Sequence, residues 1–231
     1  MSVTETSHSL PRFDGGTFSL TEASPGKPGP GIVFVSSAYG VTGDLRATMR
    51  HYAAGGFVVA APDMFSRTLA GPLGQSEEDR AAARGRLEGF DVAAGLADVR
   101  TVMDALRARP DCTGAVAVVG YCFGGEFAYL ATLQLGAAAA VSFHGVGIGK
   151  HLDQAPNVHV PMSLHFGGDD RFVPNSEIDA IETAHRGQRA VEIYRYPGAK
   201  HGFMQSESVA YDEGVARLAD ERALAMLARL Q

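Results

Sequence analysis

Gly120-Tyr121-Cys122-Phe123-Gly124-Gly125 decides the fold, because of what flanks it. Upstream, Ala115-Val116-Ala117-Val118-Val119 is an unbroken apolar run, the pattern of a strand buried on both faces. Downstream, residues 125–135 are rich in alanine and leucine and hold no proline, which predicts a helix. Strand, G-x-C-x-G, helix is the context of a nucleophile elbow, with cysteine where serine is commoner. At such a turn the nucleophile sits in a strained backbone conformation, and strand and helix approach closely on either side of it. Only a residue without a β-carbon fits there easily, which accounts for Gly120 and Gly124. The helix N-terminus beneath Cys122 offers free N–H groups and a partial positive charge that suits an anionic sulfur.

Outward from this turn, short apolar runs alternate with helical patterns. Strands are predicted at 17–22, 32–36, 57–61, 115–119, 138–143, 162–166 and 191–196, and helices at 44–54, 76–90, 91–107, 125–135, 176–186 and 212–230. That alternation implies an α/β fold with a mainly parallel sheet and helices on both faces. Ser76-x-x-Asp79 has the form of a capping box with the acid shortened by one carbon. The proline- and glycine-rich residues 24–31 follow too short a segment to close off a domain. They read instead as a turn between an edge strand and the first inner strand, and a single domain over 1–231 is expected.

Composition narrows the partners. With 45% apolar and 20% charged residues the chain is globular in type. A net charge of −6 argues against nucleic acid or an anionic membrane as partner, since both reward a basic surface. Residues 1–30 have no apolar core and carry Glu5, Asp14 and Glu22, unlike a signal peptide. Apolar runs such as 137–143 are too short to span a bilayer. The only cysteines are Cys112 and Cys122. A strand between them, at about 3.3 Å per residue, would keep them too far apart for a disulfide. Cys112 reads as an inert thiol at a loop edge, and a reducing cytoplasm is the expected compartment. No metal-ligand cluster, G-x-G-x-x-G or Walker lysine is recognisable, so neither metal nor cofactor is expected.

A thiol nucleophile for acyl transfer needs a base and a group to orient that base. Of the eight histidines, His8 falls in a terminus expected to fray, and His51 and His185 fall on amphipathic helices as solvated positions. His165 lies within an apolar strand as a satisfied core residue, while His151 and His159 lie in an irregular polar stretch. His201 stands apart, in Gly198-Ala199-Lys200-His201-Gly202-Phe203 immediately after the last predicted strand. Loops at the carboxyl ends of parallel strands line the crevice of such folds, and Cys122 ends its own strand at the same edge. The acid comes from Gly167-Gly168-Asp169-Asp170-Arg171-Phe172-Val173-Pro174, where the pattern alone does not choose between Asp169 and Asp170. The other aspartate is expected to cap the turn or pair with Arg171. The order nucleophile, acid, histidine is that of α/β-hydrolases. Oxyanion donors are expected at the Phe123 N–H and within Ser36-Ser37-Ala38-Tyr39-Gly40.

Together these residues resemble the dienelactone hydrolase family, small single-domain α/β-hydrolases with a Cys-His-Asp triad. The likeness runs from Phe13-Asp14-Gly15-Gly16-Thr17-Phe18 through Ala61-Pro62-Asp63 to the final helix. The resemblance implies Asp170 as the acid and the Ala38 N–H as the second oxyanion donor. Two departures bear on substrate. Family members carry a glutamate just before that donor, and here Ser37 stands there. With no carboxylate to take the thiol proton, Cys122 is expected to pair directly with His201 at rest. The family also holds a substrate carboxylate with two arginines: Arg80 matches one, while Gln205 replaces the other, four residues after His201.

His144, ending another predicted strand, is expected either to shape the acyl pocket or to bond a neighbouring loop, and Tyr39 and Phe123 to flank the oxyanion donors. Glu126 is expected to pair with a loop arginine such as Arg67, or to line the site. The expected substrate is a small-molecule ester or lactone, and the expected assembly a monomer or small homo-oligomer. A cysteine amidotransferase and a non-catalytic redox or ligand-binding protein of the same fold are the alternatives.

Overall fold

The computed structural model describes residues 3–231, and the apolar runs become strands. In the first of two compact units, which ends at Val116, four strands form: β1 (Thr4–Pro11), β2 (Thr17–Ser24), β3 (Gly29–Val35) and β4 (Val58–Pro62). They lie in the order β1-β2-β4-β3. β1 pairs antiparallel with β2, and β2 with β4, while β3 and β4 run parallel with Ile32 opposite Val59. Every residue of β3 and β4 is buried, so both read as continuous rather than alternating apolar runs.

The helices of this unit are α1 (Gly43–Ala54), α2 (Glu77–Leu87) and α3 (Val92–Arg107). α1 packs on β2 and β4, and α3 on β3 and β4. The capping box of α2 is complete: Ser76 Oγ accepts from the Asp79 N–H at 3.1 Å, and Asp79 Oδ2 accepts from the Ser76 N–H at 3.2 Å. α2 stops short of the predicted residue 90 because Glu88 is extended and Gly89 takes a φ of 68°.

In the second unit β5 (Cys112–Tyr121), which crosses the boundary, is followed by β6 (Ala139–Phe143), β7 (Met162–Gly167) and β8 (Val191–Tyr196). They are parallel in the order β5-β6-β7-β8. α4 (Gly124–Gln134) packs on β6. α5 (Asn175–Ala184) packs on the 3₁₀ segment Ile148–Asn157, and α6 (Glu213–Leu227) on β7. Parallel strands joined by helices bring the loops after β5, β6, β7 and β8 to one edge of this sheet. Among the described residues no helix is long and apolar enough to cross a membrane.

Three sequence expectations give way here. His8 is not in a frayed terminus but in β1, whose mostly exposed residues leave no apolar alternation to read. β2 is therefore flanked on both sides and is not an edge. Cys112, by contrast, is the first residue of β5, at a loop edge as expected. His185 is buried, its ring 3.2 Å from Tyr129 Oη and 2.8 Å from Gln188 Oε1, where a solvated helix position was expected.

Candidate active site

The elbow is built as its glycines require. Cys122 has a φ of 52°, a strained value for a residue with a side chain. A Cβ on Gly120 would lie 2.0 Å from the Gly124 carbonyl oxygen, so the strand end and helix start touch through backbone. The second close approach is at Gly125, where a Cβ would lie 2.4 Å from Gly145 Cα. The Cys122 N–H donates to the Phe143 carbonyl at 3.0 Å, and the Cys122 carbonyl accepts from Gly125 and Val146 at 2.9 and 3.1 Å. The turn is thus tied to the end of β6 and to its own helix. Phe123 N-caps α4 in helical conformation, and its ring packs on Phe127.

Asp170 and His201 meet at the same edge. His201 Nδ1 lies 2.7 Å from Asp170 Oδ2, and the Asp170 side chain is wholly buried. Asp170 Oδ1 accepts from the backbone N–H groups of Phe172 at 2.7 Å and Val173 at 3.3 Å. One carboxylate therefore both caps the turn and holds the histidine, whereas Asp169 is exposed and Arg171 stacks over Phe172. The two loops are fastened by backbone: the Gly168 N–H donates to the Tyr196 carbonyl at 2.8 Å, and that of Asp169 to the Ala199 carbonyl at 2.9 Å. A Cβ on Gly167 would lie 2.4 Å from the latter oxygen. The His201 side chain also hydrogen-bonds Cys122. Burial alone would lower the His201 pKa; the charge of the Cys122 sulfur, the Asp170 bond and the Cys122 bond overcome it and raise the value to about 10.

His144 follows β6 with a φ of 41° and is fully buried. Its ring lies 4.9 Å from that of His201, edge to face, and is stacked on Tyr121 at 5.6 Å. Its ring nitrogens meet no partner among the described residues. Only its backbone N–H bonds a neighbour, the His165 carbonyl at 2.7 Å. The expected side-chain bond to a loop is thus not made. Burial first, and the charge of His201 second, hold the His144 pKa far below its ordinary value, so the ring is neutral. His165 is the satisfied core residue that the sequence implies, between Ser163 Oγ at 2.5 Å and Tyr196 Oη at 2.8 Å.

Glu126, buried on α4, pairs with His151 at 2.8 Å and Lys150 at 3.8 Å. Arg67 is not its partner, being committed to Asp98 and Asp14. No local pattern announces a contact between Glu126 and a histidine 25 residues away.

The remaining candidates belong to the first unit, apart from Gln205. Ser37 is buried, and its Oγ accepts from the Tyr39 N–H at 3.4 Å. The Gly40 N–H donates to the Ser37 carbonyl at 3.0 Å, and the Leu73 N–H to the Tyr39 carbonyl at 2.8 Å. Ala38 is buried, and its carbonyl accepts from Arg86 Nη1 at 3.0 Å, a contact invisible in the sequence. Arg80 lies half-buried on α2. In the second unit, Gln205 is half-buried, its N–H donating to the Gly202 carbonyl at 3.0 Å.

A mainly parallel α/β fold with a cysteine on a strand-to-helix elbow after β5, and a hydrogen-bonded aspartate and histidine after β7 and β8, has the architecture of an α/β-hydrolase. The family model for dienelactone hydrolases matches residues 17–231. The chain is 34% identical over 226 residues to the carboxymethylenebutenolidase of Pseudomonas putida, covering 96% of each chain. Two solved structures share the fold. A dienelactone hydrolase-like promiscuous phosphotriesterase from metagenomic libraries has a TM-score of 0.84 and 23% identity, with 98% of each chain covered. The dienelactone hydrolase of Anabaena variabilis has a TM-score of 0.74 and 19% identity, with 99% of this chain and 98% of that one covered. The chain belongs to the dienelactone hydrolase family and is a hydrolase of the ester or lactone class.

Proposed function

We propose that the protein hydrolyses lactones or activated esters by acyl transfer to Cys122. Asp170 orients His201, and His201 takes or stabilises the Cys122 proton. The sulfur then attacks the carbonyl carbon, forming the C–S bond while the carbonyl π electrons move to oxygen. The N–H groups of Ala38 and Phe123 stabilise that oxyanion. Its collapse breaks the acyl C–O bond; the leaving oxygen receives the His201 proton and a thioester remains. Water gives a proton to His201, attacks the thioester, and releases the acid and Cys122. The observation that carries this mechanism is His201 bonded at once to Asp170 and Cys122, with Cys122 on a positive-φ elbow. A thiolate leaves a tetrahedral intermediate more readily than an alkoxide does, which favours enol lactones and activated esters over alkyl esters or amides. In an amidotransferase the acid follows the histidine, whereas here the acid holding His201 precedes it.

Substrate contacts are assigned to Arg80, Ser37, Tyr39 and Gln205, with His144 acting through the His201 ring. One guanidinium in place of two weakens capture of a substrate carboxylate by about 1.5–3 kcal/mol. We further assign the enzyme to the reducing cytoplasm, as one domain over 1–231 and as a monomer or small homo-oligomer; both cysteines are free thiols. The test is a panel of esters, lactones and thioesters, with and without a free carboxylate, on wild type and Cys122→Ala. Turnover is expected to vanish in Cys122→Ala. Activity retained in the pure variant would overturn the mechanism.

A further inference from the structure

Arg86 is the largest fully buried side chain among the described residues, 1% exposed. Among the described residues no carboxylate hydrogen-bonds to it, although the charge of Asp63 acts on it from nearby: its donors face neutral carbonyls, Nη1 that of Ala38 at 3.0 Å and Nη2 that of Gly71. Its Nε has no partner among the described residues, and its guanidinium lies 4.8 Å over the Phe65 ring. A buried ion with no directly bonded counter-ion is an expensive core element, and an apolar side chain of similar volume would serve packing as well or better. What the guanidinium supplies is geometry, because its planar fork fixes two acceptors in one rigid frame.

The peptide it grips is the one joining Ala38 to Tyr39. That peptide is held at both ends, its carbonyl by Arg86 and its N–H by Ser37 Oγ at 3.4 Å. The turn is pressed against the loop that Arg86 also holds: a Cβ on Gly40 would lie 2.9 Å from the Gly71 carbonyl oxygen and 3.3 Å from Arg86 Nη1. Bonds from Gly40 to Ser37 and from Leu73 to Tyr39 complete the clamp. Among the described residues, none of the turn's backbone hydrogen bonds uses the Ala38 N–H.

We propose that Arg86 is a positioning residue that locks residues 37–40 so that the Ala38 N–H is held ready for the oxyanion. This rests on the acyl-transfer mechanism above. Displacing a donor of this kind by about an ångström costs on the order of a hundredfold in rate.

The test compares wild type, Cys122→Ala, Arg86→Met and Arg86→Lys with p-nitrophenyl acetate, alongside alkylation of Cys122 by iodoacetamide. Alkylation forms a C–S bond with loss of iodide and develops no oxyanion, so it reads the thiol alone. In Arg86→Met, kcat is expected to fall roughly a hundredfold with KM within about threefold and the alkylation rate within about twofold of wild type. Arg86→Lys, which keeps the charge but not the fork, is expected to fall between the two. A kcat for Arg86→Met within about threefold of wild type would overturn the proposal. Parallel loss of kcat and alkylation, or failure of both variants to fold by circular dichroism, would assign Arg86 to the fold and overturn it too. Equal turnover by wild type and Cys122→Ala would sink the acyl-transfer mechanism itself. Turnover lost in Cys122→Ala yet kept in Arg86→Met would remove the inference alone.

Discussion

Asp170 divides two duties between two oxygens, with Oδ1 on the backbone of its own turn and Oδ2 on His201 Nδ1. Asp170→Asn keeps the size but replaces one oxygen by a donor that cannot accept the Nδ1 proton. It should cut kcat by roughly 10³- to 10⁴-fold, while Asp169→Asn, at an exposed neighbour, should stay within about twofold; the opposite ranking in steady-state assays would place the acid wrongly. The adjacent aspartates could not be ranked from their own pattern, because both follow the same strand and only the side-chain direction separates them. The raised His201 pKa has its own signature. A group that binds its proton more tightly when folded stabilises the fold fully below its ordinary value of 6.5, and that contribution is lost as pH rises through about 10. Wild-type Tm should therefore fall over this window. Cys122→Ala removes two of the influences that raise the value and should flatten the slope, by a few °C across the window. Parallel Tm-versus-pH curves for the two proteins would refute it.

At the scale of elements, the elbow works because β5 and α4 touch through backbone at Gly120 and Gly124. Gly120→Ala puts a methyl 2.0 Å from a carbonyl oxygen that no side-chain rotation can move. It should cost more than about 4 kcal/mol in denaturant unfolding, or abolish folding. Gly85→Ala on α2, where a Cβ meets nothing within 4 Å, is the contrast; it should be neutral or stabilise by up to about 1 kcal/mol. Equal effects would show that the close approach is not what makes Gly120 necessary. These inner elements were legible because strands buried on both faces write themselves as apolar runs. β1 was not, since Thr4-Glu5-Thr6-Ser7-His8-Ser9 is held by backbone pairing to β2 rather than by burial. Arg86 was illegible for the opposite reason: an arginine among Arg80, Arg84 and alanines on an amphipathic helix has the look of a solvated residue, and only the tertiary fold turns it inward. Glu126 and His151 likewise meet through a fold-dependent contact that no spacing rule predicts.

At the scale of the whole chain, the division after Val116 falls inside β5. The early part of that strand belongs with the first unit, where a Cβ on Gly31 would lie 3.0 Å from Val116 Cγ2. Its later part pairs in parallel with β6, Ala117 opposite Ala139 through Tyr121 opposite Phe143. A strand is a poor place for a seam, because linkers between independent domains are exposed and make few contacts on either side. Cutting there would leave each fragment with half a strand and unpaired backbone groups, an arrangement that costs free energy wherever water is excluded. Cooperativity of the whole chain is therefore expected: one thermal transition, with calorimetric and van't Hoff enthalpies in agreement. Residues 1–116 and 117–231 expressed separately should lack that transition. On the same expectation activity and global unfolding should coincide, since Cys122 sits just beyond the end of β5. Two resolved calorimetric transitions, or a fragment 117–231 that melts cooperatively while keeping an alkylatable Cys122, would show that the seam in β5 is a domain boundary after all.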